Sequence, residues 1–209
     1  FSVDKEEKNI ELYSKMTGLS DNNVAGIEYD AVNKQLLIIY SNGNIDMLGS
    51  GGVKNIPDFY NKQMGTSKSV NQIMFYENRA YLSCDFGILV LNMTKAEVAD
   101  TYYIGANGAD VKVLNSTIHG ENIYGLSSTT IYKGLLKEPN LANFEFWSAE
   151  LNLPGEGDLK KLASFGDKLI LLRGNQLYSQ TNNHNWQALF PSIKVSGFFI
   201  SNNKIIIQD

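Results

Sequence analysis

The amino-acid sequence predicts an all-β protein folded as a β-propeller, with about five blades or partial blades of four antiparallel strands each. Hairpin-like turns recur at Asn33, Asn78, Asn122, Asp167 and Asn203, with spacings of 45, 44, 45 and 36 residues. The apolar segments that flank these turns alternate or run continuously, and they do not follow the period of a helix. A repeat of about 40–45 residues with four short strands is typical of a propeller blade.

The first blade is expected over residues 21–60, with strands in NVAGIEYD, QLLIIY, NIDML and GVKNIPDF. Its middle hairpin turns at Asn42-Gly43, a pair that favours a turn in which both residues have positive φ. The second blade, residues 69–104, is expected to have strands in VNQIMFYE, RAYLSC, GILVLNM and EVADTYYIG.

The third blade, residues 110–151, is expected to have strands in VKVLNSTIHG, NIYGLSS, TIYKGLL and FEFWSAEL, and the fourth, residues 159–191, in LKKLASFG, KLILLRG, QLYSQ and NWQALFP. Trp147 and Trp186 each begin a Trp-x-Ala segment that ends in proline, and both fall on the predicted outermost strand. This recurrence favours packing between blades over stacking on a sugar.

A partial blade is expected over residues 193–209, and its segment KIIIQD is interpreted as an inner strand. Residues 1–20 are predicted to supply an outer strand that closes the last blade. Two alternatives follow: a five-bladed ring with an incomplete last blade, or the N-terminal part of a larger propeller. The second is favoured because an isoleucine-rich strand at a sheet edge promotes aggregation.

Composition and charge exclude several classes of function. The net charge is −4 and no basic stripe is present, so nucleic acid is not an expected partner. No segment approaches the roughly 20 apolar residues of a membrane helix, so no transmembrane segment is predicted. Because the chain begins with Phe1, we expect that a targeting segment has been removed or that the chain has been trimmed.

No catalytic or metal-binding constellation is predicted, and no cofactor is expected. The two histidines, His119 and His184, are expected in exposed loops without ligand-spaced neighbours. The single cysteine, Cys84, is expected to be a small buried residue. GANGAD at 105–110 lacks the spacing of a phosphate-binding loop and is interpreted as an ordinary glycine-rich loop.

Recognition is predicted on the segments that join the blades, at residues 17–23, 49–69, 104–110, 151–158 and 190–193, because these should cluster on one face. The longest, 49–69, contains the residues predicted to bind a ligand or partner: Tyr60, Asn61, Lys62 and Gln63. Long loops carry function more often than short ones, although this one has room for an outer strand.

The segment GLSDNNVAGIEYDAVNKQLLIIYSNGNIDML resembles the propeller repeat of two-component regulators, with matches at Gly18, Leu19, Ser20, Asn22 and Asp30. It departs from that repeat where Asn33 replaces the usual glycine and Leu37 the usual tryptophan.

A longer resemblance covers roughly residues 10–190. SKMTGLSDNNV, LLIIYSNGNID, AYLSCDFGILVLNMTKAEVADTYYIGANGADVKV and NLANFEFW are similar to the N-terminal propeller of PorZ-type proteins in the type IX (Por) secretion system of Bacteroidetes. This resemblance implies an N-terminal piece of a larger exported protein, at the periplasm or outer-membrane surface of a Gram-negative bacterium. It also implies partners among envelope or secretion-system proteins, or a glycan or lipopolysaccharide, because the family member is associated with handling anionic lipopolysaccharide.

Three functional hypotheses follow. The first is a non-enzymatic binding or scaffolding propeller of the cell envelope. The alternative is the periplasmic ligand-sensing propeller of a hybrid two-component regulator that binds an oligosaccharide. A carbohydrate-active enzyme ranks last, because it would need two carboxylates about 5–10 Å apart in a pocket and the predicted inner strands contain few acidic residues.

Overall fold

Four four-stranded antiparallel sheets follow one another along the chain in the computed structural model, which describes residues 2–3, 6, 8, 10–180 and 185–209. The all-β, propeller-like fold class is therefore confirmed. Each sheet has its strands in sequence order, because every connection within it is a hairpin.

The first and second sheets are joined by a short helix. The first consists of β3 (Val24–Asp30), β4 (Gln35–Tyr40), β5 (Ile45–Gly49) and β6 (Gly52–Ile56), preceded by the two-residue pair β1 (Ser2–Val3) and β2 (Ile10–Glu11). Helix α1 (Asp58–Asn61) follows. The second sheet consists of β7 (Val70–Tyr76), β8 (Arg79–Cys84), β9 (Gly87–Asn92) and β10 (Glu97–Tyr102).

The remaining sheets repeat the arrangement. The third consists of β11 (Asn115–His119), β12 (Asn122–Leu126), β13 (Ile131–Leu135) and β14 (Trp147–Ala149). The fourth consists of β15 (Leu159–Phe165), β16 (Lys168–Arg173), β17 (Gln176–Gln180) and β18 (Trp186–Leu189). The fifth is the pair β19 (Gly197–Ser201) and β20 (Lys204–Gln208), and three 3-10 helices span Lys15–Thr17, Ala106–Gly108 and Phe144–Phe146.

Apolar side chains between neighbouring sheets form the core. Leu37 and Ile45 of the first sheet pack with Leu82 and Leu91 of the second, and each is at most 1% exposed. Separate apolar clusters join the second sheet to the third, the third to the fourth and the fourth to the fifth. Central strands buried on both faces need continuous apolar runs, and this explains segments such as LLIIY and GILVL.

The sheets are arranged in an arc, in which the first strands of neighbouring sheets contact each other and form the inner edge. Three of these first strands have a polar residue at the same position. This inner position lies four residues before the end of the first strand and is occupied by Gly26, Gln72, Asn115 and Lys161. In three sheets its side chain bonds the backbone of the next sheet. Gln72 Oε1 accepts from Ser116 N at 3.0 Å. Asn115 donates to Leu162 O at 2.6 Å and accepts from Leu162 N at 3.0 Å.

The fourth sheet makes the same kind of bond to the fifth, whereas the first sheet does not make it to the second. Lys161 Nζ donates to Phe198 O at 2.9 Å, so each bond reaches the residue that follows the inner position in the next sheet. In the first sheet the position is Gly26, which has no side chain to reach Ile73. A crevice of about 190 Å³ lies there, between residues 25–28 and 70–73.

Both tryptophans begin the outermost strand of their sheet, as predicted. Trp147 is 8% exposed, its ring lies 5.8 Å from that of Tyr102, and its Nε1 donates to Leu141 O at 2.8 Å. Trp186 packs against the cluster between the third and fourth sheets. The interpretation as packing residues is confirmed.

Residues 12–23 are fastened to the first sheet by the buried carboxylate of Asp46. This group is 0% exposed and accepts from Ser20 N at 2.7 Å, Tyr40 Oη at 2.6 Å and Asn55 Nδ2 at 2.9 Å. Burial, together with the hydrogen bond to Asp46, raises the pKa of Tyr40. Three donors replace the water that a buried carboxylate loses.

Several local expectations were wrong. In the Asn42-Gly43 turn only Gly43 has positive φ (86°), because the loop between Tyr40 and Ile45 is longer than two residues. Phe144–Phe146 forms a 3-10 helix where a strand was expected, since the Asn143 side chain caps the turn by accepting from Glu145 N at 3.1 Å. Closure of a ring by residues 1–20 stays a prediction.

Candidate functional site

The segments between sheets gather at one end of the arc. Each first strand begins and each fourth strand ends there, as shown in the first sheet, where Val24 pairs with Tyr40 and Ile45 with Ile56. Loops at one end of stacked sheets form the usual binding surface of a repeat fold. Residues 57–69 are the longest of these connections, and with Tyr103 and residues 110–112 beside them we call this region the loop surface.

Phe59 anchors the loop surface to the second sheet. Its side chain is 1% exposed, and its ring lies 5.6 Å from that of Phe86, which in turn lies 5.8 Å from that of Tyr103. Buried aromatic rings contribute a large apolar area and a preferred tilted geometry. One buried residue of α1 therefore fixes the neighbouring residues in place while they face solvent.

Two lysine ammonium groups lie near the aromatic rings of this region. Lys68 Nζ lies 5.8 Å from the ring centroids of both Phe59 and Tyr60 and donates to Tyr60 O at 2.5 Å. Lys62 Nζ lies 5.2 Å from the ring centroid of Tyr103. A cation over an aromatic face is attracted by the electron-rich face of the ring, by about 0.5–1 kcal/mol at exposed sites.

Gly43 gives Lys68 the space to cross the loop surface. A Cβ at residue 43 would lie 2.8 Å from Lys68 Cδ, and the backbone there has positive φ. Any other residue would push the Lys68 side chain aside and strain the turn. Gly43 is therefore needed for the position of the lysine as well as for the turn.

Of the acidic groups at the loop surface, Asp85 and Asp110 are bonded to neighbours, whereas Asp58, the first residue of α1, is exposed. Asp85 pairs with Lys112 at 3.1 Å and accepts from Asn71 at 3.1 Å, while Asp110 accepts from the Thr66 hydroxyl. Burial raises the pKa of Asp85, but hydrogen bonds from Asn71, Lys112 and Ser67 outweigh it and hold the pKa below the usual value. This carboxyl is therefore ionised at neutral pH.

Two lysines of the loop surface are not paired with any carboxylate that the structure describes. Within the described part of the chain, Lys62 and Lys68 form no ion pair. Tyr60 is 48% exposed beside them. Ammonium groups and an exposed aromatic ring together suit a ligand that carries both negative charge and apolar C–H faces.

The predicted binding residues lie together on this surface. Tyr60 and Asn61 end α1, Lys62 and Gln63 follow it, and all four are exposed. The segment 49–69 is not a plain loop, since it holds β6 and α1. Sequence reasoning missed Lys68 and Tyr103, because their contacts depend on how the chain folds back between sheets.

Of the residues considered for catalysis, His119 is placed differently from what the sequence suggested and Cys84 lies as expected. His119 ends β11, is half-buried, and its Nδ1 lies 2.9 Å from Ser164 Oγ, so the expectation of an exposed loop residue was wrong. His184 lies outside the described residues. Cys84 is 0% exposed, which confirms the expected burial, and burial raises the pKa of its thiol to about 12.

Two kinds of feature are absent from the described residues. No group of three or more His, Cys, Asp or Glu side chains among them is arranged to hold a metal ion. None of the helices in the described ranges is long and apolar enough to cross a membrane.

Comparison with solved structures shows similar folds. PorZ from Porphyromonas gingivalis, described as an essential bacterial surface component of the type IX secretion system, is 28% identical with a TM-score of 0.79. The match covers 93% of this chain and 26% of the PorZ chain, so this chain spans about a quarter of that protein.

More distant structures share the fold alone. The extracellular domain described for a hybrid two-component system of B. thetaiotaomicron is 17% identical, with a TM-score of 0.60 over 90% of this chain and 28% of that one. BamB from Moraxella catarrhalis is 10% identical, with a TM-score of 0.59 over 89% of this chain and 54% of that one.

Sequence comparison identifies one family. No curated protein sequence matches the chain at a significant level. The family model described as the N-terminal β-propeller domain of PorZ of the type IX secretion system matches residues 1–148 of the 209. The chain therefore belongs to the family of PorZ N-terminal β-propeller domains.

Proposed function

We propose that this chain is a non-enzymatic binding or scaffolding propeller of a Bacteroidetes cell-envelope protein that serves in type IX secretion. The observation that carries the proposal is the family match over residues 1–148. The similar P. gingivalis protein is described as a surface component of that system. The chain is accordingly an exported one, at the periplasm or outer-membrane surface, with envelope or secretion-system proteins as partners.

The ligand of the loop surface in this proposal is an anionic lipopolysaccharide. Three features support this choice: two lysines without ion-pair partners among the described residues, an exposed tyrosine beside them, and the pairing of the Asp85 carboxylate with Lys112. The ammonium groups of Lys62 and Lys68 meet acidic groups of the saccharide, and the Tyr60 ring covers a sugar C–H face. Attraction between exposed charges weakens as salt rises.

The test is binding of purified anionic lipopolysaccharide to the immobilised chain at two salt concentrations. The double variant Tyr60→Ala/Lys62→Gln is expected to bind at least ten-fold more weakly. Tyr29→Ala/Lys34→Gln, which removes the same residue types from exposed positions at the opposite end of the first sheet, is the matched control and should bind like the unmodified chain.

Two outcomes would reject this ligand assignment. Equal loss in both double variants would show that the loop surface is not the binding site. Tight binding of an uncharged oligosaccharide that does not respond to salt would favour instead the ligand-sensing propeller of a hybrid two-component regulator.

We also propose that the five sheets are the N-terminal part of a larger propeller. In this arrangement the blades are residues 21–60, 69–104, 110–151 and 159–191, with a partial blade at 193–209. Exposed apolar side chains at both ends of the arc support it: Val24 is 50% exposed and Ile27 59%, while Phe199 is 44% exposed and Ile206 40%. Apolar patches of this kind mark surfaces that other elements cover.

A longer chain, extended by the residues that follow in the gene, tests the larger ring. It should melt at a higher temperature than residues 1–209 and bind less of a dye that fluoresces on exposed apolar surface. Equal melting temperature and equal dye binding would contradict the proposal.

A further inference from the structure

A pocket of about 340 Å³ lies between the second and third sheets, at the end opposite the loop surface. It forms where the turn between β7 and β8 meets the turn between β11 and β12. Its lining includes Tyr76, Glu77, Arg79, Tyr81, Glu121 and Leu136. We call it the hairpin pocket. Its volume falls at the lower end of the range for small-molecule sites.

Arg79 supplies one positive charge of the hairpin pocket, and Lys137 supplies another. Arg79 is one of two arginines in the sequence and is exposed. Across the described ranges, no carboxylate lies within ion-pair distance of its guanidinium. An arginine fork without a carboxylate partner has donors free for a planar oxyanion, which it binds through two parallel hydrogen bonds.

Two tyrosine hydroxyls lie beside the same guanidinium. The side chains of Tyr81 and Tyr102 are 2% and 3% exposed, and Tyr81 lines the pocket together with Arg79. Burial raises the pKa of Tyr81, and that of Tyr102 to about 12, while the Arg79 charge acts in the opposite direction. Both phenols therefore stay protonated at neutral pH. A protonated phenol is a hydrogen-bond donor and can donate to an oxyanion.

The rest of the pocket wall consists of two carboxylates and an apolar surface. Glu77 lies in the β7–β8 turn, and Glu121, in the β11–β12 turn, pairs with Lys137 at 3.7 Å across an exposed surface. Exposed pairs of this kind are weak and readily exchange partners. The Tyr76 ring, 36% exposed, and the half-buried Leu136 add an apolar wall.

We propose that the hairpin pocket binds a small ligand that carries one carboxylate and, on its other side, hydroxyl or ammonium groups. The carboxylate is held by the Arg79 fork and the adjacent phenol, and the donors of the ligand face Glu77 and Glu121. An acidic monosaccharide and a free amino acid share this chemistry. Inorganic phosphate does not fit, because its second negative charge would face the two glutamates.

The experiment follows amide resonances of the intact chain by two-dimensional NMR during titration with four compounds. D-glucuronate is compared with D-glucose, and L-leucine with L-leucinol, so that each pair differs in the carboxylate. Saturable shifts at residues 76–81 and 120–121 with glucuronate alone identify an acidic sugar, and with leucine alone an amino acid. Either result supports the proposal.

Variants at Arg79 test whether its guanidinium binds the carboxylate of the ligand. Arg79→Gln should weaken binding about ten-fold or more, since hydrogen bonds to charged groups contribute about 1.5–3 kcal/mol. The affinity of Arg79→Lys should lie between those of the unmodified chain and Arg79→Gln. Arg173→Gln is the matched control, because Arg173 lies at the opposite end of its sheet and donates to Gly157 O and Pro154 O. The proposal is overturned if neither carboxylate shifts these resonances, if phosphate shifts them instead, or if Arg79→Gln binds as before in a spectrum that shows a folded chain.

Discussion

Replacing Asn115 by alanine should separate the third sheet from the fourth at the inner edge of the arc. Asn115 is 9% exposed, and its amide makes two hydrogen bonds to the backbone of Leu162, at 2.6 and 3.0 Å. Each such bond contributes about 1 kcal/mol net, so the expected loss in the free energy of unfolding is about 2 kcal/mol. In a chain of this length, that lowers the melting temperature by about 4–8 °C.

The assay is thermal and urea unfolding followed by circular dichroism. The matched control is Asn152→Ala, at an exposed residue of the loop before the fourth sheet, which should change the free energy of unfolding by less than about 0.5 kcal/mol. If Asn115→Ala and Asn152→Ala have the same small effect, the hydrogen bonds at the inner position do not stabilise the contact between sheets and the reasoning is refuted.

Three further predictions concern single residues. Gly26→Asn should raise the free energy of unfolding in urea by about 1 kcal/mol, because a Cβ at residue 26 meets nothing within 4 Å and the new amide can reach the Ile73 backbone; a loss of stability would contradict this. Cys84 should not react with a thiol-specific reagent near neutral pH until the chain unfolds, because its thiol is buried and its pKa is raised to about 12; labelling of the native chain at the rate of a free thiol would be the opposite result. Asp85 has a lowered pKa in the folded chain, so its stabilising effect is complete above its unfolded pKa of about 3.9 and is lost as the pH falls through the folded value. Asp85→Asn should therefore reduce stability at neutral pH and make the melting temperature fall less steeply as the pH is lowered. An unchanged profile of melting temperature against pH would argue against this.

The sheets could be predicted from the sequence because their signals are local. The turns at Asn33, Asn78, Asn122 and Asp167 sit between apolar runs, and in the structure each joins the first strand of a sheet to the second. Errors arose where a side chain overrode the pattern, as at Asn143, whose capping bond makes a 3-10 turn from residues that otherwise favour a strand.

Contacts between sheets could not be predicted in the same way. The inner position holds glycine, glutamine, asparagine and lysine in successive sheets, so no residue type repeats, and its partners lie 37 to 47 residues away. The hairpin pocket combines Arg79 with Glu121 through the turns of two sheets, again without a local motif. The four predicted binding residues were found together because they are consecutive in the chain.

The glycine at residue 26 also determines where the arc can bend. Hydrogen bonds fix both the distance and the register of the strands they join, whereas apolar packing fixes only their separation and tolerates small rotations. Since the inner edges of the first and second sheets lack the polar connection found further along the chain, those two sheets are held mainly by the apolar cluster between them. We therefore expect the angle between these two sheets to change more readily at the inner edge than the angles further along the chain, where a side-chain hydrogen bond would have to break first.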